Sequence, residues 1–446
     1  MSDTPSAPVR SQNIFVRIFR NASFLMSGKF GAGVLGLVYL AIAARALGTT
    51  DFGVLVVVQA YAMTIAALAR FQSWQAVIHF GSKFLEGRDD SGFQKLIVFT
   101  TAIDVISAAF AVAVALVAAP FMGRLMGWPE EAMQAVYVYC FVIPFLFAAT
   151  PTGVLRLFDR YKTLGAQLLV MPLTRVAGAL IVWAAGGGLI GFLIVWMASG
   201  FLDGMSLWML GARALARKKN LKSWRVDWRN ALRGERGWWP FVIKSNLSGT
   251  ADLANMDLPV LIVGAMLGPA PAGLVKLAIN VTNWLSKPAL LIDQSVMPEL
   301  SRLAVQGKIA EMRSVALKSG FFTGLASSPI VFILIFFSAP IVVLIAGEEF
   351  RAAAGVTAII AGALMIKLFG SALEPGLLSL GRAGRVLTAQ ALSSLVHVAS
   401  LWLLLPVFGV EGAGWARMAA MAALVGTLAL QLAIITRGGS PKAVKH

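Results

Sequence analysis

The sequence predicts an all-α polytopic membrane protein, with about twelve transmembrane helices arranged as two parallel six-helix repeats. Three observations predict this. The chain is 58% hydrophobic and only 13% charged over 446 residues, whereas soluble domains carry about 45–50% apolar and about 25% charged residues. Apolar runs of spanning length, about 20 residues each, recur along the whole chain. Short sequence signatures in the first half return in the second at nearly constant spacing.

The expected spans, read from the apolar runs, are roughly 22–46, 53–79, 96–119, 132–155, 164–185, 189–211, 240–267, 272–297, 316–338, 352–378, 386–405 and 412–435. The connections alternate in character. The N-terminus, 80–95, 156–162, 212–238, 299–318, 379–385 and the C-terminal tail are basic, whereas 47–52, 120–131, 186–188, 268–271, 339–351 and 406–411 hold only Arg124 and Arg351 of the 38 Lys and Arg. Lys and Arg resist translocation, so the basic side is cytoplasmic and both termini face it. The net charge of +17 is therefore mainly topology, which argues strongly against a nucleic-acid partner.

Segment 212–238 is the most basic connection, with Arg217, Lys218, Lys219, Lys222, Arg225, Arg229, Arg233 and Arg236, and with Trp224 and Trp228 four apart. That pattern suits a helix lying on anionic membrane lipids. It divides the chain into an N-terminal six-helix lobe (1–211), the linker itself (212–238) and a C-terminal six-helix lobe (239–446).

The repeat ties loop to loop and helix to helix. Leu47, Gly48 and Gly53 return as Leu267, Gly268 and Gly273. Gln75, Val77, Ser82 and Lys83 correspond to Gln294, Val296, Ser301 and Arg302. Gly153, Leu155, Leu157, Lys162, Leu164, Ala166 and Gln167 correspond to Gly376, Leu378, Leu380, Arg385, Leu387, Ala389 and Gln390. An even number of spans per half gives both halves one orientation, as in transporter folds whose substrate path runs between the repeats.

Charges inside the spans are the candidate site. Lys29, Arg70, Arg175, Lys287 and Lys367 are deep, while Arg45, Lys244, Lys276 and Arg417 lie near span ends, within snorkelling reach of the surface. An ionised side chain at mid-bilayer costs about 2.5–3.5 kcal/mol on insertion scales, so such groups normally face a bundle interior or water. Residues at i, i+4, i+7 and i+11 share a helix face. Lys244, Ser248, Asp252 and Asn255 make one such stripe, Lys276, Asn280, Asn283 and Lys287 a second, Lys367, Ser371 and Glu374 a third, and Gln390, Ser393, His397 and Ser400 a fourth. Together the stripes predict a wet, cationic cavity. Cations in such a setting favour an anionic substrate, with phosphate or diphosphate the usual match. The acids Asp104, Asp203, Asp252, Asp257, Asp293 and Glu374 are fewer, and Asp252, Asp257 and Glu374 are the candidates for ion coupling. Gly28, Gly31, Gly33 and Gly36 on the first span fit either helix bending or close packing.

The lone Cys140 and the scattered His79, His397 and His446 offer no disulfide framework and no metal site. No phosphate-binding Walker loop is present, and the external connections are short. A transporter without a cofactor is expected rather than an enzyme such as a membrane-bound polymerase. An ion-coupled exporter of cationic drugs would want an acidic cavity instead.

The stretch Ala44-Arg45-Ala46-Leu47-Gly48-Thr49-Thr50-Asp51-Phe52-Gly53 resembles the first inter-helix turn of the polysaccharide flippases, within the multidrug/oligosaccharidyl-lipid/polysaccharide exporter superfamily. The Asn21-Ala22-Ser23-Phe24 opening is similar too. The resemblance implies a V-shaped, two-lobed transporter like the multidrug exporters of that superfamily. It implies movement of an undecaprenyl-diphosphate-linked oligosaccharide across a bacterial inner membrane by alternating access, for O-antigen or exopolysaccharide synthesis. A coupling ion gradient, and a polymerase or glycosyltransferases as partners, would accompany that role. Reporter fusions test the orientation: alkaline phosphatase joined after Gly187 is expected to be active and after Lys308 inactive, and the opposite pattern would invert the topology.

Overall fold

The computed structural model describes residues 11–126, 128, 130–217, 237–242, 257–285, 296–297 and 299–437. Helices dominate. In chain order they are α1 (Ser11–Ala69), α2 (Ser73–Glu86), α3 (Asp90–Leu125), α4 (Glu130–Cys140), α5 (Ala149–Leu157), α6 (Tyr161–Gln167), α7 (Val170–Ala184) and α8 (Leu189–Ala216) in the first half. The second half holds α9 (Leu258–Leu267), α10 (Pro269–Leu285), α11 (Ile309–Phe336), α12 (Ser338–Ala346), α13 (Ala353–Phe369), α14 (Leu373–Ser379), α15 (Ala383–Phe408) and α16 (Val410–Arg437). Among the described residues eight helical stretches are long and apolar enough to cross a membrane, or nine with the bent pair Met133–Cys140 and Ile143–Leu157. The first stretch alone, Arg20–Glu86, covers the first two expected spans. Much of the seventh and eighth expected spans lies outside the described residues, as do most of the basic segment and the predicted stripe residues Lys244, Asp252 and Lys287.

Gly48 divides α1. Its φ of 68° and ψ of −176° are not helical, and φ in that region suits glycine. A straight helix would carry Tyr39 and Gln59 about 30 Å apart, yet both line one chamber. The chain therefore turns back at Gly48. Its repeat partner Gly268 takes the same conformation (φ 94°, ψ 175°) between α9 and α10, and Gly347 does so at the end of α12 (φ 98°, ψ 173°). The region 339–351, read as a loop from sequence, thus contains most of α12 and a 3-10 turn, Glu348–Phe350.

The two repeats touch at these turns. A β-carbon on Gly53 would lie 2.2 Å from the Pro269 carbonyl oxygen, and one on Gly273 would lie 3.0 Å from Gly53 Cα. Matching residues of the two halves face each other there, as expected near the axis relating parallel repeats. Phe52 meets Phe350 edge-on, with ring centres 5.4 Å apart. This contact lies on the side with few Lys and Arg. Elsewhere close packing also uses glycine: a β-carbon on Gly28 would sit 2.2 Å from the Gly165 oxygen, and Gly33 and Gly36 lie against the Trp284 indole. Packing, rather than bending, accounts for Gly28, Gly33 and Gly36. Residues 237–242 pack on the first half, where Trp238 is buried against Phe80, Phe84 and Phe99.

Two spans of the first half are interrupted at one level. Residues 70–72 separate α1 from α2, and a break with a 50° bend separates α4 from the segment that includes α5. Interruptions inside a membrane leave backbone groups to be satisfied by protein. Asp104 of α3, 2% exposed, does this for a backbone amide of α5 and braces the start of α2 through a side chain. It accepts from Ser73 Oγ at 2.6 Å and from the Thr150 amide at 2.8 Å, tying together the N-terminal ends of α2 and α5. Each helix end carries a partial positive charge that favours the carboxylate. Asp104→Ala leaves both donors buried without an acceptor, at about 1–3 kcal/mol each. The thermal unfolding midpoint of detergent-solubilised protein should fall clearly, with Asp104→Asn intermediate; an unchanged midpoint for the alanine variant would remove this role.

Candidate functional site

The interruptions and the turn at Gly48 open a chamber of about 550 Å³ between the halves. Most of its wall comes from α1, α5, α6, α7 and α8, and α10 supplies the face from the second half. Phe52 of the glycine contact is in its lining, and so are Lys29 and Arg156. The glycine contact thus closes the chamber on the side with few Lys and Arg. A second recess of about 410 Å³ is lined by Arg70, Phe71, Gln72 and Trp74 from the first interruption, by Phe145, Leu146, Ala148 and Ala149 from the second, and by Thr152, Arg156, Met171, Asp203 and Leu207, which it shares with the chamber.

Lys29, Arg156, Arg175 and Lys276 line the chamber, against Asp203 as its acid. Lys276 Nζ bonds Asp257 Oδ1 at 2.6 Å, so this cation is matched within the second half. Arg175 donates from Nε to Ser199 Oγ at 3.0 Å. Its guanidinium carbon lies 5.0 Å from the Trp196 ring centre and 6.0 Å from that of Tyr39, within cation–π range. Asp203 acts electrostatically on Arg175 and accepts from Gln167 Nε2 at 2.9 Å. Lys29 is exposed to the chamber and Arg156 half-buried, and neither has an ion pair among the described residues. Gln59, Gln167, Asn280 and Thr152 add neutral hydrogen-bonding groups, and Tyr39, Trp196 and Trp284 add aromatic faces. Such a wall suits a hydroxylated, anionic ligand.

Of the predicted cations, Lys29, Arg175 and Lys276 therefore meet in the chamber, and Arg70 lines the adjoining recess. Arg45 does not join them. It is exposed and donates to the carbonyl oxygens of Leu344 and Ile345, the last turn of α12, where a cation complements the helix end. Its long side chain bridges the halves at the glycine contact instead. Lys367 is exposed near the end of α13 and lines neither cavity. Glu374 accepts from Gln390 at 3.4 Å, and the same polar stripe continues through Ser393, which donates to the Ala420 oxygen at 2.7 Å, and the buried His397. These stripes knit α14, α15 and α16 together within the second half. They are helix-to-helix bonding rather than cavity wall. Asp257 serves Lys276, as above. Lys244, Asp252 and Lys287 lie outside the described residues.

Arg156 is the site residue that sequence reasoning missed. The run Asp159-Arg160 marked a loop from residue 156, but α5 continues to Leu157. Gly153, one turn earlier, lets α5 lie on α2: a β-carbon there would be 2.8 Å from Val77 Cβ and 3.0 Å from Trp74 Cα. That approach sets the Arg156 guanidinium carbon 4.3 Å from the Trp74 ring centre. The pattern Gly153-x-x-Arg156, against Gly376-x-x-Ser379 in the repeat, was the available signal.

Comparisons with known proteins agree with this architecture. Residues 18–304 match the family model described as polysaccharide biosynthesis protein. The inner membrane protein YghQ of Escherichia coli (strain K12) is 30% identical over 336 residues, covering 75% of this chain and 94% of that protein. An inward-facing multidrug resistance transporter of the multidrug and toxic compound extrusion (MATE) family superposes with a TM-score of 0.73 at 14% identity, covering 91% of this chain and 94% of the other. A Pyrococcus furiosus transporter of the same superfamily, described as having a binding pocket of reverse polarity, gives 0.63 at 14% identity over 94% and 95%. At that identity the two structures speak for the fold. With a multi-pass helical fold shared with these exporters and a family model matched over more than half its length, the chain belongs to the polysaccharide biosynthesis protein family of membrane transporters.

Proposed function

We propose that the protein is a flippase that moves undecaprenyl-diphosphate-linked oligosaccharide across the bacterial inner membrane for surface polysaccharide synthesis. One observation carries this reading: among the described residues, the chamber between the halves has four basic side chains against one acid. The cations attract a diphosphate, and the amides, hydroxyls and aromatic rings beside them suit sugars. The apolar lipid tail would remain in the bilayer. A cavity of this sign disfavours cationic drugs, which sets this reading apart from that of a multidrug antiporter. The chain needs no catalytic group for the task. Its work is differential binding of one cargo in two conformations.

The inner-membrane placement is consistent with the Escherichia coli relative's description. The outer glycine contact, with the chamber beneath it, corresponds to a conformation closed to the outside. Loading would then occur from the cytoplasmic side, where such lipid-linked units are assembled, and release would require the outer contact to part. Polymerases or glycosyltransferases acting on that cargo would be its partners.

A deletion strain tests the assignment by tracking undecaprenyl-linked oligosaccharide on each face of the inner membrane. Cytoplasmic-side accumulation is expected, relieved by the wild type and reduced at least tenfold less by Lys29→Ala or Arg175→Ala at equal protein level. A normal distribution in the deletion strain carrying no other flippase would sink it.

A further inference from the structure

We propose that Arg156 and Arg70 form the seat for the cargo's diphosphate, and that this seat is built into the first half alone. The inference rests on the flippase reading above and assigns the anionic group a place within it. Arg156 lines both the chamber and the recess, and Arg70 lines the recess. Each guanidinium is supported by a ring, Arg156 over Trp74 at 4.3 Å and Arg70 over Phe147 at 5.9 Å. Each also has a buried Nε that finds no hydrogen-bond partner among the described residues. A buried donor left unmatched is unfavourable, and two of them on cations bordering one recess call for an anionic acceptor. Guanidinium forks match phosphate oxygens in pairs.

The acids nearby have other partners. Asp104, which acts on Arg70 electrostatically, directs its oxygens to Ser73 and Thr150. Asp203, also in the recess wall, accepts from Gln167 and acts on Arg175. Among the described residues no carboxylate acts on Arg156. The remaining basic groups are less suited to the role: Lys276 is bound by Asp257 and Arg175 by Ser199, while Lys29 is free to assist from the chamber side.

The internal duplication gives an independent argument. By the matches flanking them, Arg156 corresponds to Ser379 and Arg70 to Ala289. In the second half Ser379 turns inward, donating to the Pro375 oxygen at 2.8 Å and meeting Ser301 at 3.2 Å. The backbone frame, including Gly153 and Gly376, is retained while the two arginines are present once. A seat on one half lets the charged group stay fixed to that half while the other swings, with the glycan in the larger chamber.

Native mass spectrometry of the detergent-solubilised full chain tests the seat with four probes: undecaprenyl diphosphate, undecaprenyl phosphate, phosphatidylglycerol and inorganic pyrophosphate. The wild type is expected to prefer undecaprenyl diphosphate over the other two lipids by at least tenfold, with pyrophosphate binding more weakly than the lipid. Arg156→Ala should abolish that preference, Arg70→Ala should weaken it severalfold, and Arg156→Lys, which keeps the charge and loses the fork, should retain part of it. Lys308→Ala, at a surface ion pair with Glu311, is the control and should match the wild type. Retained phosphatidylglycerol binding shows that a variant is folded. A preference that survives Arg70→Ala/Arg156→Ala overturns the seat and leaves the flippase reading standing. A wild type that binds no polyprenyl diphosphate overturns both, and pyrophosphate binding as tightly as the lipid makes a soluble diphosphate the ligand.

Discussion

The carboxylate of Asp104 is the constraint on which the cavity depends. A membrane interior gives no water to unpaired backbone groups, so a helix can be interrupted there only where protein replaces the missing bonds. Asp104 does so for the Thr150 amide of α5 and holds the start of α2 beside it through the Ser73 hydroxyl. With both interruptions held at one level, Arg70 and Trp74 on one side and Thr152 and Arg156 on the other border a common recess. Uninterrupted spans would present regular faces and pack shut. The polar lining therefore follows from a local backbone arrangement that a single buried acid makes tolerable.

The duplication supplies a symmetric frame, and the charges break its symmetry. Gly48 and Gly268 share a backbone conformation, and Gly53 and Gly273 meet across the halves. The contact at these turns is made of small residues and aromatic rings, with Arg45 reaching across to the end of α12. Among the described residues the chamber's basic groups come mainly from the first half, and Lys276, from the second, is matched by Asp257. An asymmetric cargo, charged at one end and hydroxylated at the other, fits an asymmetric wall.

Much of this was legible in the sequence, for identifiable reasons. Gly48 and Gly268 stood out because positive φ leaves few alternatives to glycine, and their repetition fixed the turn in both halves. Spans and class followed from apolar length. Membership of the cavity was harder to read. Depth or helical face picked out Lys29, Arg70, Arg175 and Lys276, which line the cavities, and also Lys367, which lines neither, while Arg45, near a span end, lies at the contact between the turns. A stripe shows that a helix has a polar face and does not show what meets it. The polar groups Glu374, Gln390 and Ser393 make contacts among helices of one half, whereas Lys276 and Asn280 face the chamber. Arg156 escaped because a polar turn two residues on shifted the apparent helix end. The break between α4 and α5 was also hard to see, since the run from 132 to 155 carries no charged residue, although Pro144 lies beside the break.

The central claim is that a cationic chamber, sealed outside by contact between the repeats, carries its cargo only when that seal parts. The most direct measurement is translocation of a fluorescent undecaprenyl-diphosphate-linked oligosaccharide in proteoliposomes. It would use a chain with Phe52→Cys and Phe350→Cys in a Cys140→Ala background, bridged by a reducible thiol cross-linker. The account predicts translocation by the reduced protein, at least a tenfold loss on cross-linking, and recovery with reductant. Undiminished translocation with the seal locked would contradict it.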